Sequence, residues 1–204
     1  MNILQPRRKQ TSDALKSERV RKDALAYLHD IVCLLAVVIL LFTICFRVVV
    51  VSGPSMNDTL VNGDWLLLLS NLTSGEVEQG DIIVASKESF KDGEPIIKRV
   101  IATEGQVVDI DFVAGVVYVD DSPLEEPYTL TSTNIQEGVA FPCVVEPGCV
   151  FVMGDNRNSS LDSRSTEIGL IDKREIVGKA VFILFPGKDD NHPVREFDRI
   201  GVLG

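Results

Sequence analysis

Residues 31–46 read IVCLLAVVILLFTICF, sixteen positions with Thr43 as the only polar side chain and no charge. Apolar positions at 26–28 before this run and 48–51 after it extend the stretch to the roughly 20 residues a helix needs to cross about 30 Å of hydrocarbon. A helix apolar on every side has no face to offer water, which argues against the core helix of a soluble domain. A cleavable secretory signal fits poorly too, because the basic leader of about 30 residues is long and the apolar run exceeds the usual ~7–15. The stretch reads as a membrane anchor that is retained, spanning 26–47, with Arg47 placed where its guanidinium can snorkel to the interface.

Charge orients the anchor. Residues 1–30 carry seven Lys+Arg against four Asp+Glu, whereas residues 48–204 carry twelve against twenty-six. Basic flanks stay on the cytoplasmic side, so 1–25 is expected to be a cytoplasmic basic segment and 48–204 an extracytoplasmic domain. A formal net charge of −10 disfavours a nucleic-acid partner. The histidines are His29 and His192, and the cysteines Cys33, Cys45, Cys143 and Cys149, with no Cys-x-x-Cys or His-Glu-x-x-His spacing. No zinc site is therefore expected.

Beyond the anchor the sequence alternates short β-branched runs with turn residues. The runs fall at 48–51, 65–69, 81–86, 96–102, 107–110, 115–119, 149–153 and 176–185. Asn62-Gly63-Asp64, Ser74-Gly75, Asp92-Gly93, Asp120-Asp121-Ser122-Pro123, Pro147-Gly148 and Pro186-Gly187 separate them. The expected fold is mainly β: a transmembrane helix followed by an all-β domain of packed antiparallel sheets. Helix outside the anchor is expected only around 172–176 and within 10–30. Cys143 and Cys149 flank Pro147-Gly148 on the oxidising side of the membrane. A tight turn would set Cys149 opposite Glu146, so a disulfide between the two needs a wider loop and stays open. Cys33 and Cys45 serve as apolar filler in the anchor.

Three polar segments interrupt the β pattern. In Ser52-Gly53-Pro54-Ser55-Met56-Asn57-Asp58-Thr59-Leu60, the Gly-Pro turn displays Ser55 at a strand end beside backbone N–H groups, where a nucleophile and an oxyanion site are both possible. In Ile96-Ile97-Lys98-Arg99-Val100-Ile101, strand alternation sets Lys98 between Ile96 and Val100 on one face. Burial there would disfavour the ammonium and leave an amine able to act as a base. The third segment, Gly154-Asp155-Asn156-Arg157-Asn158-Ser159-Ser160-Leu161-Asp162-Ser163-Arg164, has a loop composition next to an apolar run. Asp162 and Arg164 can pair across a tight turn within it, which suits a loop that locks a site in place.

An anchor, then S-G-P-S-M-x-x-T-L, then I-K-R-V with Lys98 forty-three residues after Ser55, then G-D-N-R-N-S-S-x-D-S-R: together these resemble the type I signal peptidases of bacteria. The resemblance implies a membrane-bound Ser–Lys endopeptidase that removes signal peptides from secreted preproteins, needing no metal or cofactor. By it, Ser55 is the acyl-forming nucleophile and Lys98 its general base. Ser160 matches a serine hydrogen-bonded to that lysine, Asp162 and Arg164 match a structural ion pair, and Met56 and Arg99 match neighbours of the dyad. Gly53 stands where some members carry an oxyanion-binding serine, so the oxyanion would rely on backbone N–H groups, chiefly of Ser55 and also of Gly53. Asp58 replaces the proline usual before Thr59-Leu60, and Gln106 follows Gly105 where an acid is common.

Substrate is expected to add as a strand between 48–54 and 95–98, with Val50, Met56 and Ile96 among the pocket residues. The implied partners are preproteins with small residues at −3 and −1, the lipid bilayer and a nearby secretion translocon, with no nucleic acid. Two other readings remain at this stage. One is a related Ser–Lys enzyme, such as the pilin-maturation peptidases of conjugation systems. The other is a tethered β domain that only binds partners.

Overall fold

The computed structural model describes residues 6–203 except Ser89, Lys91 and Asp92, with side chains from residue 16 onward. The first five residues of the basic segment and the Asp92 half of the Asp92-Gly93 turn lie outside it. Chain contacts divide the molecule into a helical unit ending at Ile44 and a β unit beginning at Cys45.

The helical unit is one helix, α1 (Pro6–Cys45), 40 residues or about 60 Å at 1.5 Å per residue. Its segment Lys16–Cys45 is long and apolar enough to cross a membrane, and none of its most apolar window is buried. Thr43, the one hydroxyl in residues 31–46, donates to its own helix at Leu40 O (2.8 Å), so its polar group is satisfied within the helix. The helix stops two residues short of the expected boundary. Arg47 lies in strand β1 (Phe46–Val50) opposite Leu68 and not on the helix. Four β-branched valines after Arg47 favour extension over a further turn.

The β unit holds two antiparallel sheets. Its longer strands are β2 (Trp65–Ser70), β3 (Ile82–Ala85), β4 (Ile96–Thr103), β5 (Val107–Asp111), β6 (Val116–Val119), β9 (Cys149–Met153) and β11 (Ile176–Phe185). Each coincides with a run marked in the sequence. Four two-residue strands, β7 (Ser122–Pro123), β8 (Cys143–Val144), β10 (Ile171–Asp172) and β12 (Gly201–Val202), are too short to show periodicity. The larger sheet runs β1-β2-β11-β3-β4-β9-β10 with β12 added to β11, and the smaller runs β7-β6-β5-β8. Among the described residues, helix outside α1 is limited to single 3₁₀ turns. One of them, Lys173–Glu175, falls in the expected 172–176 region, where Asp172 and Glu175 form a reciprocal capping box.

Three apolar clusters hold the unit together. Ile83, Val100, Val152 and Ile171 centre one, and Leu60, Leu66, Leu68 and Val84 another. The third joins the two sheets, with Ile101, Phe151 and Met153 of the larger packed on Val108, Ile110 and Val117 of the smaller. β4 is therefore buried from Lys98 to Ala102 without alternation. A strand with both faces covered is where a lysine loses its water. Cys143 and Cys149 are free thiols, each half-buried against the third cluster, with burial pushing both thiols up.

Candidate active site

Ser55 follows β1 at one edge of the larger sheet and Lys98 sits on β4, with three strands between them in the sheet order. The structure nevertheless brings them together, with Lys98 Nζ 2.8 Å from Ser55 Oγ and 3.0 Å from Ile97 O. Between them opens a cleft of about 400 Å³. One wall is formed by residues 49–56 and the other by 94–98, with Val84, Phe90 and Leu161 completing it. Val50, Met56 and Ile96 all line it. Val50 is exposed, Ile96 is half-buried against the first apolar cluster, and Met56 is buried.

Lys98 is 5% exposed. Burial draws its pKa down from the ordinary 10.5 to about 8, against the opposing pull of the Asp162, Asp155 and Glu137 carboxylates. At pH 8 about half of such lysines are neutral, against about 0.3% for an unperturbed one. Met56 and Ile97 line the same cleft.

The nucleophile turn is held at several points. Gly53 adopts φ +89°, a conformation open to glycine and costly for other residues, and its N–H donates to Asn62 Oδ1 (3.0 Å). That N–H is thus occupied, which departs from its expected share in holding an oxyanion. The Ser55 N–H has no partner among the described residues. Asn156 grips the turn twice: its backbone N–H donates to Ser55 O (3.0 Å) and its Nδ2 to Pro54 O (3.1 Å).

Beneath the cleft the 154–164 loop is a buried ionic frame. Arg164 pairs with Asp162 through Nε (2.8 Å) and Nη2 (2.9 Å), both side chains fully buried. Its Nη2 also donates to Arg157 O (2.6 Å), and Arg157 itself pairs with Glu126 and Thr133. Asp155 receives Arg99 Nε (2.9 Å) and Nη2 (2.7 Å), and the Thr59 hydroxyl (2.6 Å). One carboxylate thereby ties the residue after the lysine to the turn of the serine. Tyr128 covers Arg99, its ring centroid 4.0 Å from Cζ, and burial pushes its phenol up to about 12.

Ser160 departs from expectation. It is buried, but its Oγ has no hydrogen-bond partner among the described residues. Instead it packs on Gly154, where a Cβ would collide with Ser160 and with Ser55 O. That contact explains why Gly154 opens the loop. Gly154, Asp155 and Asn156 belong to the polar segment singled out in the sequence, but their individual roles were not readable there. Their partners lie in distant segments, and local composition carries no record of them. No group of three His, Cys, Asp or Glu side chains that could hold a metal occurs among the described residues.

The family model described as "Signal peptidase, peptidase S26" matches residues 24–185. Signal peptidase I of Bacillus licheniformis is 29% identical over 179 residues, covering 84% of this chain and 94% of its own. Signal peptidase I S of Bacillus subtilis (strain 168) is 31% identical over 185 residues, covering 84% and 96%. A probable signal peptidase I-1 of Synechocystis is 38% identical over 144 residues, covering 67% and 69%. The crystal structure of a signal peptidase I from Enterococcus faecalis V583 superposes with a TM-score of 0.44 at 23% identity, covering 52% of this chain and 98% of that one.

Proposed function

Because this chain belongs to the signal peptidase family, peptidase S26, we propose that it removes signal peptides from secreted preproteins through a Ser55–Lys98 dyad. The approach of Nζ to Oγ at 2.8 Å on the floor of the cleft carries this reading. Neutral Lys98 takes the Ser55 proton as Oγ attacks the scissile carbonyl. The ammonium so formed then protonates the leaving amine, releasing the mature chain. The returned neutral amine activates water to hydrolyse the acyl-enzyme. Developing charge on the carbonyl oxygen meets the unoccupied Ser55 N–H.

The preprotein adds as a strand between the walls at 49–53 and 94–97, whose apolar lining and modest volume suit small side chains at −3 and −1. Asp162–Arg164 and Asp155–Arg99 hold the two halves of the dyad in register. Helix α1 anchors the enzyme in the bilayer, with its basic end cytoplasmic and the β unit outside, beside the secretion translocon. Ser55 is eight residues beyond Arg47, at most about 27 Å of extended chain from it. That reach suits cleavage just outside the hydrocarbon, where the signal peptide's apolar core remains.

Cleavage of a model preprotein by the full chain in detergent tests the proposal. Ser55→Ala and Lys98→Ala are each expected to lower kcat at least 10³-fold with unchanged folding. Substantial activity remaining in either variant contradicts it.

A further inference from the structure

The segment after β11 lies beyond the family match at 185, yet it makes a dense set of bonds to the turn that carries the nucleophile. Lys188 N–H donates to Asn62 O (3.1 Å), and Asn62 Oδ1 receives the Gly53 N–H. Gly187 N–H donates to Asp64 Oδ1 (2.5 Å), so closely that a Cβ on Gly187 would collide with Asn62 O. Arg199 reaches the same Asp64 through Nη1 (3.1 Å) and Nη2 (2.7 Å), and Thr59 O through Nη2 (3.2 Å). Asp189 accepts from Asn57 Nδ2 (3.1 Å), and Asn57 N–H closes the nucleophile turn on Pro54 O (3.1 Å). Asn57 is 3% exposed, and Asp189 is its one hydrogen-bonded side-chain partner among the described residues.

We infer that residues 186–199 form a clasp that positions the nucleophile, with Asp189 as a positioning residue acting on Ser55 through Asn57. This rests on the dyad reading. A Gly-Pro turn is preset by its backbone but not fixed relative to β4, and displacement of a nucleophile by about 1 Å costs on the order of 10²-fold in rate. The 154–164 loop holds the turn from one side, at Pro54, Ser55 and Thr59. The clasp holds it from the other, at Asn57, Thr59, Asn62 and Asp64. Asp189 is itself fixed, its Oδ1 receiving the N–H groups of Asn191 (3.0 Å) and His192 (2.7 Å). The carboxylate is thus a rigid post and not a solvated surface charge. It touches neither substrate nor the reacting atoms, so its effect falls on the acylation step and not on the cleft walls.

The experiment is preprotein cleavage by the full-length chain in detergent, with kcat and KM expressed per active site titrated by an acylating serine-directed inhibitor. Asp189→Ala is expected to lower kcat about 10- to 100-fold with KM within twofold. Asp189→Asn keeps an acceptor for Asn57 and is expected to recover to within about threefold of the parent. Asn57→Ala reproduces the loss, and the double variant is no worse than either single one, because both remove the same bond. If Asp189→Ala does not fold, Asn57→Ala carries the same expectation and decides the matter. An unchanged kcat, a rise in KM alone, a failure of Asp189→Asn to recover, or additive losses in the double variant overturns the inference. Ser55→Ala and Lys98→Ala run alongside. Activity in those overturns the dyad reading, whereas their inactivity with a normal Asp189→Ala overturns the clasp alone.

Discussion

Lys98 is held where its charged form is disfavoured, and that has a consequence for stability as well as for chemistry. Its pKa is about 8 in the fold against 10.5 for an ordinary lysine, so below pH 8 the protein buries an ammonium it would sooner leave in water. That penalty is fully present below pH 8 and is relieved as pH rises from about 8 to 10.5, because there the unfolded chain binds more protons than the folded one. Lys98→Met is therefore expected to be inactive yet more stable by about 1–3 kcal/mol at pH 7. The gain should shrink toward pH 10, as read by denaturant unfolding at the two pH values. A variant less stable than the parent at pH 7 contradicts this assignment of burial cost. At the same scale, Ser55 and Lys98 could be singled out only jointly: a serine in a Gly-Pro turn or a lysine between aliphatics on a strand is ordinary by itself, and it was their combination with the polar loop that resembled a known family; the 2.8 Å between them belongs to the fold. The state of Ser160 Oγ and the occupation of the Gly53 N–H were not, since both depend on side chains brought in by the fold.

Among the elements, the longer strands were readable because a β-branched run bounded by turn residues is a local signal, whereas two-residue strands such as β10 and β12 exist only through their neighbours. The end of α1 shows the limit of hydropathy. The valines after Arg47 continue the apolar stretch, but with Arg47 they pair with β2 as a strand. The polar loop was recognisable as a site-locking segment by composition, but Asp155 as the join between Thr59 and Arg99 was not. Its removal tests that join. Asp155→Ala leaves the Arg99 guanidinium, which is 3% exposed, without its carboxylate and with Gly80 O as its remaining acceptor (2.9 Å), and should cost about 3–5 kcal/mol in chemical denaturation. A loss below about 1 kcal/mol would mean that Asp155 is not what holds Arg99 in place.

At the scale of the molecule, a basic, membrane-length helix joins an acidic β unit within one chain, and the two divide near residue 45. The charge asymmetry predicts which side each occupies. Protease added to intact spheroplasts should degrade the β unit and leave a short N-terminal fragment, whereas protease sealed on the cytoplasmic face should remove only the first residues. The reverse pattern would invert the proposed topology. Held close to the bilayer, the cleft would meet a signal peptide whose apolar core is still in lipid, and chain length after the anchor sets that reach.

Catalysis by an uncharged lysine is best tested by the pH dependence of single-turnover preprotein cleavage. The rate constant should rise tenfold per pH unit at low pH and level off through an apparent pKa near 8, as Lys98 loses its proton. A profile flat from pH 6 to 10, or one governed by a group titrating near 6.5, would contradict the account.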